Sequence, residues 1–106
     1  MRGQRILVTG ASGFIGAAVC EMAAASGREV IGLCRDPERG REKLAGLGDA
    51  ATLAAWDMSD PLPRLDGVDA VIHAAGRGDP ASFAAAPATV LGETLLGCRR
   101  LLDFAA

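Results

Sequence analysis

An α/β fold built on a parallel sheet is what this sequence predicts, and three observations predict it. Short apolar runs recur at Ile6-Leu7-Val8, at Val30-Ile31 with Leu33, and at Ala70-Val71-Ile72, each the length of a strand buried on both faces. Ala-rich or amphipathic stretches of helical length separate most of these runs, so successive strands are joined by crossovers and pair in parallel. The first run leads straight into Gly10, Gly13 and Gly16, spaced Gly-x-x-Gly-x-x-Gly, with a helical segment behind them. Composition agrees with tightly packed layers, since half of the 106 residues are apolar, 14 are glycine and only 4% are aromatic.

The first strand is expected over Arg5 to Thr9, and the first helix from Phe14 or Ile15 to Ser26, closed by Gly27. Ile15, Val19, Met22 and Ala23 recur at spacings of three and four and are expected to face the core. A second strand follows over Glu29 to Arg35. Asp36 is placed to cap a second helix that begins at Pro37 and carries a polar run to Lys43, ending at Leu44, Leu47 and Gly48. Ala51 to Trp56 reads as a third strand from context, because Ala is a poor strand former. Pro61 and Pro63 leave no room for a full helix in the link from Met58 to Gly67. Val68 to Ala75 is the fourth strand, and Asp79-Pro80 starts a helical stretch that Pro87 breaks or kinks. A long helix then runs to the end, with Val90, Leu91, Thr94, Leu95, Leu101, Leu102 and Ala105 as its apolar stripe. Right-handed crossovers give strand order 3-2-1-4, an incomplete doubly wound sheet between helical layers.

Three glycines between a strand and a helix have a chemical meaning. The first amides of a helix lack intrahelical partners and the helix dipole favours an anion there, so a diphosphate can be held by backbone alone. Gly10 permits the tight turn, Gly13 lets the backbone approach the pyrophosphate, and Gly16 lets the helix lie close on the strand. The residues around them, Thr9-Gly10-Ala11-Ser12-Gly13-Phe14-Ile15-Gly16, resemble the nucleotide-binding signature of the extended short-chain dehydrogenase/reductase family, the NAD(P)-dependent epimerases, dehydratases and reductases. That resemblance implies a Rossmann-type three-layer fold and makes Thr9, Gly10, Ser12, Gly13, Phe14, Ile15 and Gly16 cofactor-binding residues.

The residue closing the second strand bears on which dinucleotide is taken. An acid about 20 residues beyond the glycines accepts ribose hydroxyls and repels a 2′-phosphate. Here the strand ends Leu33-Cys34-Arg35-Asp36-Pro37, with Cys34 at the acid's place. Arg-Asp-Pro at this turn resembles the NADP-using reductases, so Arg35 is expected to clamp the 2′-phosphate with its planar fork, with Arg39 as a second candidate. A solvated arginine beside Asp36 is the other reading. Asp57-Met58 is similar to the family's pair bordering the adenine, though a turn-forming Asp fits as well. His73-Ala74-Ala75-Gly76 resembles an Ala-Ala-Gly motif where small residues let the backbone pass close to the cofactor, adding Ala74, Ala75 and Gly76 to the candidate site. His73 itself, the only histidine, has no carboxylate partner that can be placed beside it and is expected to be structural.

Thr94 and Cys98 depart from the family's last-helix pattern Asn-Val-x-Gly-Thr. The family's catalytic Tyr-x-x-x-Lys has no counterpart either, since the chain contains no tyrosine and ends where a fifth strand is expected, so no catalytic residue is assigned. The expected function is therefore binding of NADP(H), rather than NAD, as the cofactor half of an extended short-chain reductase or epimerase. A small-molecule substrate is expected only where the catalytic half is present. A non-catalytic NADP(H)-binding or redox-sensing module and an inactive truncated chain are the other readings. Eleven basic against 13 acidic residues, a net charge of -2, provide no basic face for nucleic acid or membrane. Three widely spaced cysteines suggest neither a disulfide framework nor a metal site and fit a reducing cytoplasm. The fourth strand, with nothing beyond it, is expected to self-associate through its open edge.

Overall fold

A computed structural model describes residues 4–75 and 84–106 of the chain. Its elements are β1 (Arg5–Thr9), α1 (Phe14–Ala25), β2 (Glu29–Cys34), α2 (Pro37–Lys43), a 3-10 segment (Ala45–Ala50), β3 (Ala51–Ala55), β4 (Ala70–His73) and α3 (Pro87–Ala105). The four strands form one parallel sheet in the order β3-β2-β1-β4. The expected fold class and topology hold. Period-two alternation in β1 sends Ile6 and Val8 to one face and Leu7 to the other. The first face packs with Ala17 and Cys20 of α1, Val30 and Leu44, and the second with Leu33, Trp56, Met58 and Leu101 of α3. These are the two cores of a three-layer α/β/α arrangement.

Element ends moved where a local bond competes with the ladder. β4 stops at His73 and not at Ala75, because the amides of Ala74 and Ala75 turn to the Thr9 hydroxyl. At its other end Asp69 is spent on β1, its carboxylate accepting from the Arg5 amide at 2.7 Å, so pairing by strand geometry begins at Ala70 and not at Val68. β2 ends at Cys34 and β3 at Ala55, one residue short in each case. α2 is a short helix and gives way at Leu44 to the 3-10 segment, in which Gly48 adopts a positive φ of 56°. Residues 84 and 85 are helical, Ala86 leaves the helical conformation, and Pro87 stands in the first turn of α3, where its missing N–H costs nothing, so the break expected at Pro87 is present and the long helix starts there. Of the helical stretch expected from Asp79-Pro80, the part up to residue 83 lies outside the described residues.

Two amphipathic faces need correction. Of the face expected for α1, Val19 and Ala23 pack against the core, but Ile15 is 66% and Met22 74% exposed, and the buried residues are Gly16, Ala17 and Cys20. The helix lies so close to the turn before it that only small side chains fit beneath: a Cβ on Gly16 would stand 1.9 Å from the Gly10 carbonyl oxygen. In α3 the inward residues are Val90, Gly97 and Leu101, while Leu95 and Leu102 of the expected stripe are 62% and 71% exposed. Gly97 sets that rotation, for a Cβ there would meet the Met58 side chain at 2.8 Å. Both helices are apolar on more than one side, so periodicity alone does not select the buried face.

Candidate functional site

All four strands are parallel, so their C-terminal ends share one edge of the sheet, and the candidate residues gather along it. Thr9 ends β1, fully buried. Gly10 follows with φ 66°, a left-handed conformation that glycine adopts without strain, and Gly13 N–H donates to its carbonyl at 2.9 Å to close the turn. Gly13 is the N-cap of α1, and no side chain caps that end. The first turn therefore presents amide donors that only the carbonyls of an outside group, water or an anion can satisfy.

The three glycines do different work. A Cβ on Gly10 would lie 2.8 Å from the carbonyl carbon and oxygen of Ala74 and from Cα of Ala75, so this glycine is fixed by the backbone after β4. Gly16 is fixed by the Gly10 carbonyl. A Cβ on Gly13 would meet only the Gly10 oxygen, at 3.2 Å, a tight contact and not the outright clash found at Gly10 and Gly16, and the open space in front is what glycine preserves. Phe14 and Ile15 are exposed beside it, and Ser12 is half-buried.

Thr9 Oγ1 joins the two strand ends. It accepts from the amides of Ala74 at 3.0 Å and Ala75 at 3.1 Å, and lies 2.6 Å from Nδ1 of His73. Thr9 and His73 are also register partners in the β1–β4 pair. Burial pushes the His73 pKa below its usual 6.5. Gly76, the last residue of the expected motif, lies outside the described residues.

Arg35 follows β2 at this same edge and is exposed; among the described residues no hydrogen bond or ion pair engages its guanidinium. Cys34 beside it is buried, its sulfur 3.0 Å from where a Gly40 Cβ would stand, and burial raises its pKa from 9.0. The position where an acid would face a ribose therefore carries an inward thiol. Asp36 caps α2, its carboxylate accepting from Glu38 and Arg39 amides at 3.2 and 3.3 Å, which holds the turn that carries Arg35. Beyond β3, Asp57 Oδ1 accepts from the Ser59 amide at 3.1 Å and the Ser59 hydroxyl at 2.9 Å, so it forms the turn that was the other reading of this residue. Met58 is buried under α3.

One residue at the site escaped the sequence. Lys43, at the far end of α2, donates from Nζ to the Ser12 carbonyl at 2.9 Å and brings a cation to the glycine turn. No spacing rule links positions 31 residues apart, and only the fold, which seats α2 against β2 and β3, reveals the contact. Among the described residues no group of His, Cys, Asp and Glu could hold a metal ion, and no helix is long and apolar enough to cross a membrane.

A glycine turn and an uncapped helix at the carboxyl edge of a parallel sheet define a dinucleotide-binding α/β fold of the Rossmann type. Residues 6–106 match the NAD dependent epimerase/dehydratase family, and the chain belongs to that family. It is 41% identical over 72 residues to an uncharacterized protein of Saccharomyces cerevisiae, a match covering 65% of this chain and 24% of that protein. An uncharacterized protein of Schizosaccharomyces pombe is 38% identical over 72 residues, covering 67% and 24%. Among solved structures, UDP-glucose-4-epimerase from Stenotrophomonas maltophila, with bound NAD and formylated UDP-arabinopyranose, superposes with a TM-score of 0.80 at 24% identity over 94% of this chain and 32% of that one. A short chain dehydrogenase/reductase family protein gives 0.73 at 26% identity, covering 97% and 49%. The matches to the two yeast proteins extend over about a quarter of their length.

Proposed function

We propose that this chain binds NADP(H) as the cofactor-binding portion of an extended short-chain reductase or epimerase. The observation that carries the reading is the uncapped start of α1 behind the Gly10–Gly16 turn, with open space in front of Gly13. Thr9, Gly10, Ser12, Gly13, Phe14, Ile15 and Gly16 would surround the diphosphate, with Ala74, Ala75 and Gly76 along the nicotinamide side and Asp57 and Met58 toward the adenine. The donor set fits an anionic dinucleotide: backbone amides for the diphosphate, and an exposed guanidinium at Arg35 for a 2′-phosphate. The buried Cys34 thiol supports NADP over NAD, because it offers neither an acceptor to ribose hydroxyls nor a charge against the phosphate. The dinucleotide would supply hydride chemistry; this chain's residues bind and orient it.

Calorimetric titration of NADP and NAD tests the proposal. NADP is expected to bind the wild type, and Gly13→Val is expected to lose binding while keeping the circular dichroism of the wild type. Undiminished NADP binding by Gly13→Val removes the diphosphate assignment.

A further inference from the structure

The hydroxyl of Thr9 has one proton and two lone pairs. Two amides, Ala74 and Ala75, point at it from 3.0 and 3.1 Å, and an amide can only donate. Both lone pairs are thereby used, which leaves the hydroxyl proton for the His73 Nδ1 at 2.6 Å. A ring protonated on Nδ1 would bring a third donor to a saturated oxygen. The ring is thus the neutral tautomer with Nδ1 bare and its proton on Nε2.

This bond sits where there is no slack. Thr9 is fully buried, so water cannot replace a lost partner. The backbone it anchors, Ala74 and Ala75, lies against Gly10 so closely that a Cβ on Gly10 would be 2.8 Å from it. The Ala74 amide also approaches the Thr9 carbonyl at 3.3 Å, a longer contact than the one to the hydroxyl.

Resting on the dinucleotide-binding reading above, we propose that His73 is a positioning residue. As a neutral ring it orients the Thr9 hydroxyl and so holds the Ala74–Ala75 backbone under the glycine turn, and protonation of the ring releases that backbone and weakens dinucleotide binding. An imidazolium carries hydrogen on both nitrogens and cannot accept from Thr9.

β1 and α3 make the main contacts with β4. Ile72 also shares a groove with Val19, Met22 and Ala23 of α1 and with Arg28, whose guanidinium is bonded to Gln4 and Ser26; the titratable groups of α1 are the buried Cys20 and the exposed Glu21. Arg5, the titratable group of β1, is at the opposite end, bonded to Glu29 and Asp69. The Gly10–Gly13 turn has no titratable group. On α3, Arg99 pairs with Asp103 in solvent, Arg100 reaches the Met58 carbonyl, Glu93 is half-buried, and Cys98 is partly exposed. Among the described residues Thr9 is the ring's hydrogen-bond partner, and burial is what lowers its pKa, so its transition falls on the acid side of 6.5.

The test compares wild type, His73→Asn, which keeps an acceptor and does not titrate, and His73→Leu, which has no acceptor. Nitrogen-detected NMR of the imidazole should show a bare Nδ1 at pH 8. Exchange of the Ala74 and Ala75 amides should quicken as the ring titrates in wild type, stay slow in His73→Asn, and be fast at every pH in His73→Leu. NADP affinity should fall about tenfold more between pH 8 and pH 5.5 in wild type than in His73→Asn, the effect of one lost hydrogen bond. Taking that ratio cancels the ligand's own phosphate ionisation, near about 6. An Nδ1–H tautomer, wild-type exchange rates in His73→Leu, or equal pH slopes in wild type and His73→Asn would overturn the proposal. Failure of wild type to bind either dinucleotide at pH 8 overturns its binding arm together with the functional reading, and the ligand-free NMR arms then decide the Thr9 linkage alone.

Discussion

Gly13 and Gly16 look interchangeable as letters, yet their surroundings predict opposite failures. Gly16→Ala places a Cβ 1.9 Å from a backbone oxygen that cannot move without opening the turn. We expect it to destabilise the chain by about 3 kcal/mol or more, the upper end of overpacking penalties, read from urea unfolding. Gly13→Val should lower that unfolding midpoint much less than Gly16→Ala does, because its Cβ meets a single atom at 3.2 Å, a tight contact and not a clash. Arg35→Asp belongs to the same scale. A charged contact to phosphate is worth roughly 1.5 to 3 kcal/mol, so the NADP-to-NAD affinity ratio should drop at least tenfold, and an unchanged ratio would show that Arg35 is only a solvated surface residue. The cysteines divide by burial: Cys20 and Cys34 are buried and Cys98 is partly exposed. Desolvation, with a smaller contribution from Cys34, raises the Cys20 thiol from 9.0 to about 11. An alkylating reagent at pH 8 should therefore modify Cys98 first and reach Cys20 and Cys34 only after unfolding; early modification of Cys20 would contradict the packing of α1.

At the scale of elements, α2 is held by its ends. Its seven residues are too few for a stable helix alone, and Asp36, Pro37 and Glu38 at the start with Arg41 and Lys43 in the last turn favour it locally. Asp36→Ala should cost about 1 kcal/mol and Asp36→Asn much less, measured by thermal unfolding. The junction of β1 and β4 carries a pH term as well. His73 has a folded pKa below its unfolded value, so the unfolded chain binds the extra proton first as pH falls. Stability from this residue is complete above about pH 7. It is lost progressively as pH falls below 6.5 toward the lowered value, and the His73→Asn variant should lack that component in urea titrations.

Over the whole molecule, apolar groups are left in water on two sides. β4 has β1 on one side and no strand on the other among the described residues, and Ile72 on it is exposed. Leu91, Leu95 and Leu102 of α3 are exposed together, spaced four and seven residues apart on one side of the helix. Backbone at an open strand edge and contiguous apolar surface both favour pairing with another chain. We expect the purified chain to self-associate in sedimentation velocity as concentration rises, and to do so less when Leu95 and Leu102 are both changed to Lys. A monomer at every concentration would mean these surfaces are covered.

The sequence by itself determined the layer architecture, the strand order and the position of the glycine turn, since each follows from local rules: apolar runs bounded by turns, a cap at Asp36, glycines where a strand meets a helix. The ends of β1 and the starts of α1 and α2 were legible for that reason. Tertiary structure alone decided which faces of α1 and α3 are buried, because both helices are apolar on several sides and close approach at Gly16 and Gly97 selects one. It also decided that Asp57 serves a turn, that Lys43 reaches Ser12 and that His73 shares a hydroxyl with two amides. The Asp57 turn is local, and the structure chose between two readings that the sequence left open; the Lys43 and His73 contacts join residues far apart in the chain, and their partners are set by parallel register and the packing of the fold, which no local pattern encodes.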